Sequence, residues 1–125
     1  AESPHESLYR VQLARLGFEI KTQVPVHSKS GSTYRMDFEL IGHGAFFEAD
    51  GEMKYTDEQY RNGKHLDTLL LREKQREEWA RATTGRRVLH GGWADALTLR
   101  RTAALLRAYG VTPPVDKGSK PRLLL

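Results

Sequence analysis

The chain contains no cysteine among its 125 residues, which excludes disulfide staples and thiolate metal sites together. No apolar run reaches membrane-spanning length, and the start lacks the basic-then-apolar pattern of a secretory signal. A cytoplasmic location is therefore the default expectation, with no membrane partner. There is no Gly-x-Ser-x-Gly elbow, no zinc-type histidine pair and no phosphate loop, so a small-molecule hydrolase lacks its motifs. An initiating methionine is missing as well. The chain opens at Ala1-Glu2-Ser3-Pro4, as expected of a piece of a longer protein that an N-terminal domain or a dimer partner would complete. What is present is enough residues for one domain with a core of its own.

The net charge of +4 is unevenly spread. Residues 1–71 hold 8 Lys/Arg against 11 Asp/Glu, whereas residues 72–125 hold 12 against 5. Seven acids (Asp37, Glu39, Glu48, Asp50, Glu52, Asp57, Glu58) share one short stretch, with Lys54 the sole formal cation inside it. A like-charge cluster costs folding energy unless water or a cation offsets it. It reads either as a solvated acidic face or as a metal focus. In the second case carboxylates hold the cation, and the basic half holds phosphates around it.

Local signals order the chain as α-β-β-β-α-β-α. Ser3-Pro4-His5-Glu6 has an N-cap, a first-turn proline and an acid three residues on, and Gly17 closes the helix. Leu8, Val11, Leu13, Leu16 and Phe18 supply its expected apolar stripe. Strands are expected over 18–26, 33–41 and 45–50. In the second, Met36, Phe38 and Leu40 would face one way, and Arg35, Asp37 and Glu39 the other. Residues 52–62 read as a mobile loop. A long helix over about 64–83 would bury Leu66, Leu69, Leu70 and Trp79, and a fourth strand follows over 86–90. A last helix runs over 94–109, with Asp95 as its cap. Residues 1–110 form one domain on this reading, and 111–125 a basic, flexible tail. The whole implies a mixed four-stranded sheet flanked by helices.

Chemistry concentrates on two strands. Glu48 and Asp50 are two apart, so both leave one face, and a hairpin through Gly42-His43-Gly44 makes Asp37 their cross-strand neighbour. Three converging carboxylates suit Mg²⁺ or Mn²⁺, and equally suit a solvated strand face. Glu6 could add a fourth carboxylate, Lys54 could offset charge or hold a phosphate, and Tyr55 could stack or hydrogen-bond. His90 could line the site or be a structural strand-end histidine. Trp79 and Trp93 read as core residues rather than base-stacking ones, and His43 as an exposed turn residue.

Four segments together resemble a known group: Tyr34-Arg35-Met36-Asp37-Phe38; Phe47-Glu48-Ala49-Asp50-Gly51-Glu52-Met53-Lys54-Tyr55; Leu71-Arg72-Glu73-Lys74-Gln75-Arg76-Glu77; and Arg87-Val88-Leu89-His90-Gly91-Gly92-Trp93-Ala94-Asp95. They look like the DUF559 endonuclease-like domains, relatives of the very-short-patch repair endonuclease in the PD-(D/E)xK superfamily. Such domains often form the C-terminal half of actinobacterial proteins associated with toxin–antitoxin systems. The resemblance implies a restriction-endonuclease-like α-β-β-β-α-β core with an extra C-terminal helix. It implies a metal-dependent endonuclease acting on nucleic acid, DNA in particular, with Mg²⁺ or Mn²⁺ on Asp37, Glu48 and Asp50. Glu6 matches the helix-borne acid of some members. Met36 stands at the superfamily proline and Asp50 at its lysine, which makes Lys54 the candidate replacement cation. Arg35, Arg72, Arg76 and Tyr55 would contact the nucleic acid. The competing reading is a nuclease-like domain that no longer cuts and instead binds nucleic acid or a partner protein.

Overall fold

The computed structural model describes residues 2–50 and 63–115, and residues 63–66 by their backbone alone. Helix α1 (Pro4–Arg15) starts as its cap dictates, the Ser3 side chain accepting the Glu6 N–H at 3.2 Å. Gly17, at φ 87, ends it in the left-handed region that glycine enters without strain. Its inward face is Tyr9, Gln12, Leu13 and Leu16, spaced three and four apart as one side of a helix requires. Val11, expected in that stripe, is 48% exposed. Residue type alone had favoured Val11 over Tyr9, but the position on the helix decides.

Strands β1 (Ile20–His27) and β2 (Thr33–Leu40) pair antiparallel, and β2 pairs antiparallel with β3 (Ala45–Ala49). Helix α2 (Gly63–Thr84) precedes β4 (Arg87–Gly91), which runs parallel to β3. Two helices follow, α3 (Trp93–Ala96) and α4 (Leu99–Ala108). The sheet order is β1-β2-β3-β4, so the chain is α/β with a mixed four-stranded sheet. Adjacent residues of a strand point to opposite faces, and Phe46/Phe47 serve two separate clusters accordingly. Phe47 and Leu89 join Tyr9, Leu13 and the α4 residues Ala103 and Leu106. Phe46 joins Val26, Met36 and Ala80 of α2. Helices therefore cover both faces.

The second strand departs from simple alternation. Phe38 and Leu40 pack in the α1 cluster, but Met36 packs in the α2 cluster. The strand turns over at Asp37, and Gln23, between the register pairs Thr22↔Phe38 and Val24↔Met36, has φ 52. Beyond Phe38↔Phe47 the β2–β3 register pairs also stop.

Other expectations change in detail. Helix α2 meets the sheet through its C-terminal part, where the small side chain of Ala80 is fully buried; Leu70 is 44% exposed and Trp79 half-buried. The C-terminal helix is broken at Thr98, whose side chain caps α4 by accepting the Arg101 N–H. Thr102, fully buried, donates to the Asp95 carbonyl at 2.7 Å and holds the break in place. Thr98 is thus the cap, and Asp95 instead faces Arg101 at 3.6 Å. Trp93 is 40% exposed with its ring against His5, and His43 is half-buried against Phe18. Packing continues past Gly110: Val111 is buried, and the Val115 N–H donates to the Leu16 carbonyl at 2.8 Å. The expected loop over 52–62 and the tail over 116–125 lie outside the described residues. Among the described residues no helix is long and apolar enough to cross a membrane.

One close approach positions α1. The Tyr9 hydroxyl donates to the Gly92 carbonyl at 2.6 Å, and a Cβ on buried Gly91 would collide with the Tyr9 ring and hydroxyl and lie 2.5 Å from Phe47 Cζ. On its outer side β4 meets Tyr109, whose hydroxyl accepts the His90 N–H at 3.2 Å.

Candidate functional site

The site forms where β2 and β3 part. The Asp37 N–H donates to Glu48 Oε2 at 3.0 Å, and the Ala49 N–H donates to Asp37 Oδ2 at 2.9 Å. Two acidic side chains thereby satisfy amides that a regular ladder would have paired. The Glu48 carboxyl is pushed up to about 8, chiefly by burial, then by hydrogen bonding to Asp37 and by its charge. The Asp37 amide and the charge of Arg76 act in the opposite direction. Asp37 and Glu48 are thus a close acidic pair, as their cross-strand placement predicts.

Glu6 reaches the same region from α1. Gln23 Nε2 donates to its carboxylate at 3.0 Å, and burial followed by the charge of Asp37 raises its proton affinity. Glu6, Gln23, Arg35 and Asp37 line a pocket of about 520 Å³. Arg35 therefore lies on the α1 side, away from the other two arginines.

Asp50 goes elsewhere. Its carboxylate contacts Nδ1 of His90, and Glu77 of α2 contacts Nε2 of the same ring. His90 is held more basic than usual, first by its hydrogen bond to Asp50, against the effect of burial. Burial raises the Glu77 carboxyl, and the charge of His90 opposes that. One histidine thus ties the ends of β3 and β4 to α2. The parallel register sets Glu48 beside His90, in line with the sequence reading that His90 could line the site. No spacing in α2 marks Glu77.

Arg76 and Arg72, one turn apart, line a common cleft of about 810 Å³, as their helical spacing predicts. Arg76 lies over the Tyr34 ring at 4.2 Å and pairs with Glu73 at 3.3 Å. Lys54 and Tyr55 lie outside the described residues.

A hard divalent cation fits part of this arrangement. Asp37 and Glu48 are oxygen donors so close that their repulsion helps hold a proton on Glu48, a repulsion a cation would relieve. Asp50, the expected third ligand, is engaged by His90. Among the described residues no group of three or more histidines and acids is arranged to hold one ion. The chain matches no protein-family model, no curated protein and no solved structure.

Proposed function

We propose that this domain is a divalent-metal-dependent nuclease, with Asp37 and Glu48 as its metal-binding pair. The observation that carries the reading is the meeting of these two carboxylates at the point where the sheet opens. A partly buried acidic pair is a standing cost to the fold unless a cation or a proton offsets it. A bound Mg²⁺ or Mn²⁺ would supply water activation and neutralisation of phosphate charge. Glu6 would tune the negative potential of the pair from the α1 side. Arg72 and Arg76 would draw the phosphate backbone toward the acids, and Arg76 already lowers the proton affinity of Glu48. Restriction-endonuclease-like architecture, with DNA as substrate, is the finer form of this proposal, and the α/β order with a mixed sheet is compatible with it.

Plasmid nicking by the full chain with Mg²⁺ or Mn²⁺ tests the proposal, set beside Asp37→Asn, which keeps an acceptor for the Ala49 amide. Cleavage by the parent chain and its loss in the variant are expected. Equal cleavage by both, or none by either on duplex, single-stranded DNA and RNA, would overturn it.

A second reading has its own support: a nuclease-like module that binds nucleic acid or a toxin–antitoxin partner without cutting. It is favoured by the capture of Asp50 by His90, which takes it away from the Asp37–Glu48 pair. Metal-independent binding of DNA, with no cleavage under any of these conditions, is what that reading expects.

A further inference from the structure

We propose that the cleft between the β1–β2 turn and α2 is a binding site for single-stranded nucleic acid, seating unpaired nucleotides. This deepens the nucleic-acid reading above and rests on it for the identity of the polymer. The cleft, of about 810 Å³, has Lys29 and the serines of the turn on one wall and Arg72, Arg76 and Trp79 of α2 on the other. A space of this size encloses a drug-sized ligand, hence roughly one or two nucleotides and not a duplex.

Charge selects a polyanion. Lys29, Arg72 and Arg76 line the cleft, with Glu78 the one acidic lining residue among the described residues. The Ser28 hydroxyl contacts those of Ser30 at 3.0 Å and Ser32 at 2.6 Å, a cluster of rotatable donors suited to phosphate oxygens. Aromatic groups then favour a nucleotide over an acidic peptide. Trp79 donates its indole N–H to the His27 carbonyl at 2.7 Å, and Tyr34 donates its hydroxyl to the Arg76 carbonyl at 2.9 Å. Both polar handles are bound to the opposite element, which clamps the two rings in place across the cleft. The Arg76 guanidinium already lies over Tyr34, and a stacked guanidinium offers a second planar face to a base. Such faces are useful only to unpaired bases, because a duplex hides its own.

Two lining residues of the cleft interact electrostatically with the pair: Glu48 acts on Tyr34, and Arg76 acts on Glu48.

The test uses the full chain carrying Glu48→Gln, in EDTA, so that nothing is cut. Trp93→Phe leaves Trp79 as the one tryptophan, because the chain has two. Oligothymidylate should quench Trp79 fluorescence and bind at least tenfold more tightly than a blunt duplex of the same length. Lys29→Ala and Arg72→Ala should each weaken binding about five- to tenfold and lower the salt slope by about 0.7. Trp79→Leu should weaken it about tenfold, with thermal melts checking that each variant folds. Binding without quenching, preference for duplex, indifference to Lys29→Ala and Arg72→Ala, or equal displacement by polyglutamate would each overturn the proposal. Quenching in this variant, set beside a parent chain that cuts nothing with Mg²⁺ or Mn²⁺, would leave the cleft standing and the nuclease reading lost; cleavage by the parent without quenching in the variant would do the reverse.

Discussion

Replacing Glu48 by glutamine should abolish a fall in stability that the parent chain undergoes as pH rises from about 4.5 to about 8. The sign follows from linkage. The folded carboxyl is raised above its unfolded value of 4.5, so between the two values the folded state binds the proton and the unfolded state does not. Stability from this group is fully present below the unfolded value and is lost as pH climbs through the folded one. A rise from 4.5 to about 8 is equivalent to about 4–5 kcal/mol. In a domain of this size that corresponds to roughly 10–20 °C in melting temperature. Glutamine keeps an acceptor for the Asp37 amide and cannot ionise. The assay is thermal unfolding by circular dichroism from pH 4.5 to 9 in EDTA, for parent and variant. The two curves should coincide near pH 4.5 and separate with rising pH, the variant being the more stable at pH 8.5. Parallel curves would refute the reasoning, because they would mean that Asp37 and Glu48 do not share a confined, repulsive site.

Mn²⁺ should raise the melting temperature of the parent, release close to one proton per ion at pH 7, and bind about tenfold more weakly for each pH unit below about 8; Asp37→Asn should remove all three effects in calorimetry. His90→Ala should cost under ~1 kcal/mol, since its partners are partly exposed. That cost should be present below about pH 6.5 and vanish as pH passes the raised folded value of His90, so equal melting differences at pH 6 and pH 9 would count against the Asp50–His90–Glu77 tie. Gly91→Ala should destabilise by about 2–4 kcal/mol, because its methyl enters the space of the Tyr9 and Phe47 rings, and an unchanged urea midpoint would show that α1 does not dock there.

Features set by neighbouring residues were legible in the sequence. The Ser3 cap, the Gly17 stop, the four strands and the cross-strand meeting of Asp37 with Glu48 all follow from short-range chemistry or a period of two. What escaped depends on contacts between distant segments. Asp50 alternates correctly with Glu48, yet its side chain is claimed by His90, which is adjacent through the parallel β3–β4 pairing and remote in sequence. Met36 fits the pattern of Phe38 and Leu40, but the strand turns over between them at Asp37. The break at Thr98 is invisible to periodicity because a buried threonine hydroxyl stabilises it through the Asp95 carbonyl. Leu70 looked like core because it is leucine; α2 approaches the sheet where Ala80 leaves room for it.

The two outermost strands bear on how the molecule behaves among copies of itself. β1 carries Pro25, which has no amide hydrogen to offer, and beside it Gln23 leaves the extended conformation. β4 has its outward His90 amide taken by the Tyr109 hydroxyl. Neither margin presents an unbroken row of donors and acceptors to an incoming chain. Concentrated solutions should therefore resist growth by sheet extension, and any self-association would have to use helical or loop surfaces instead.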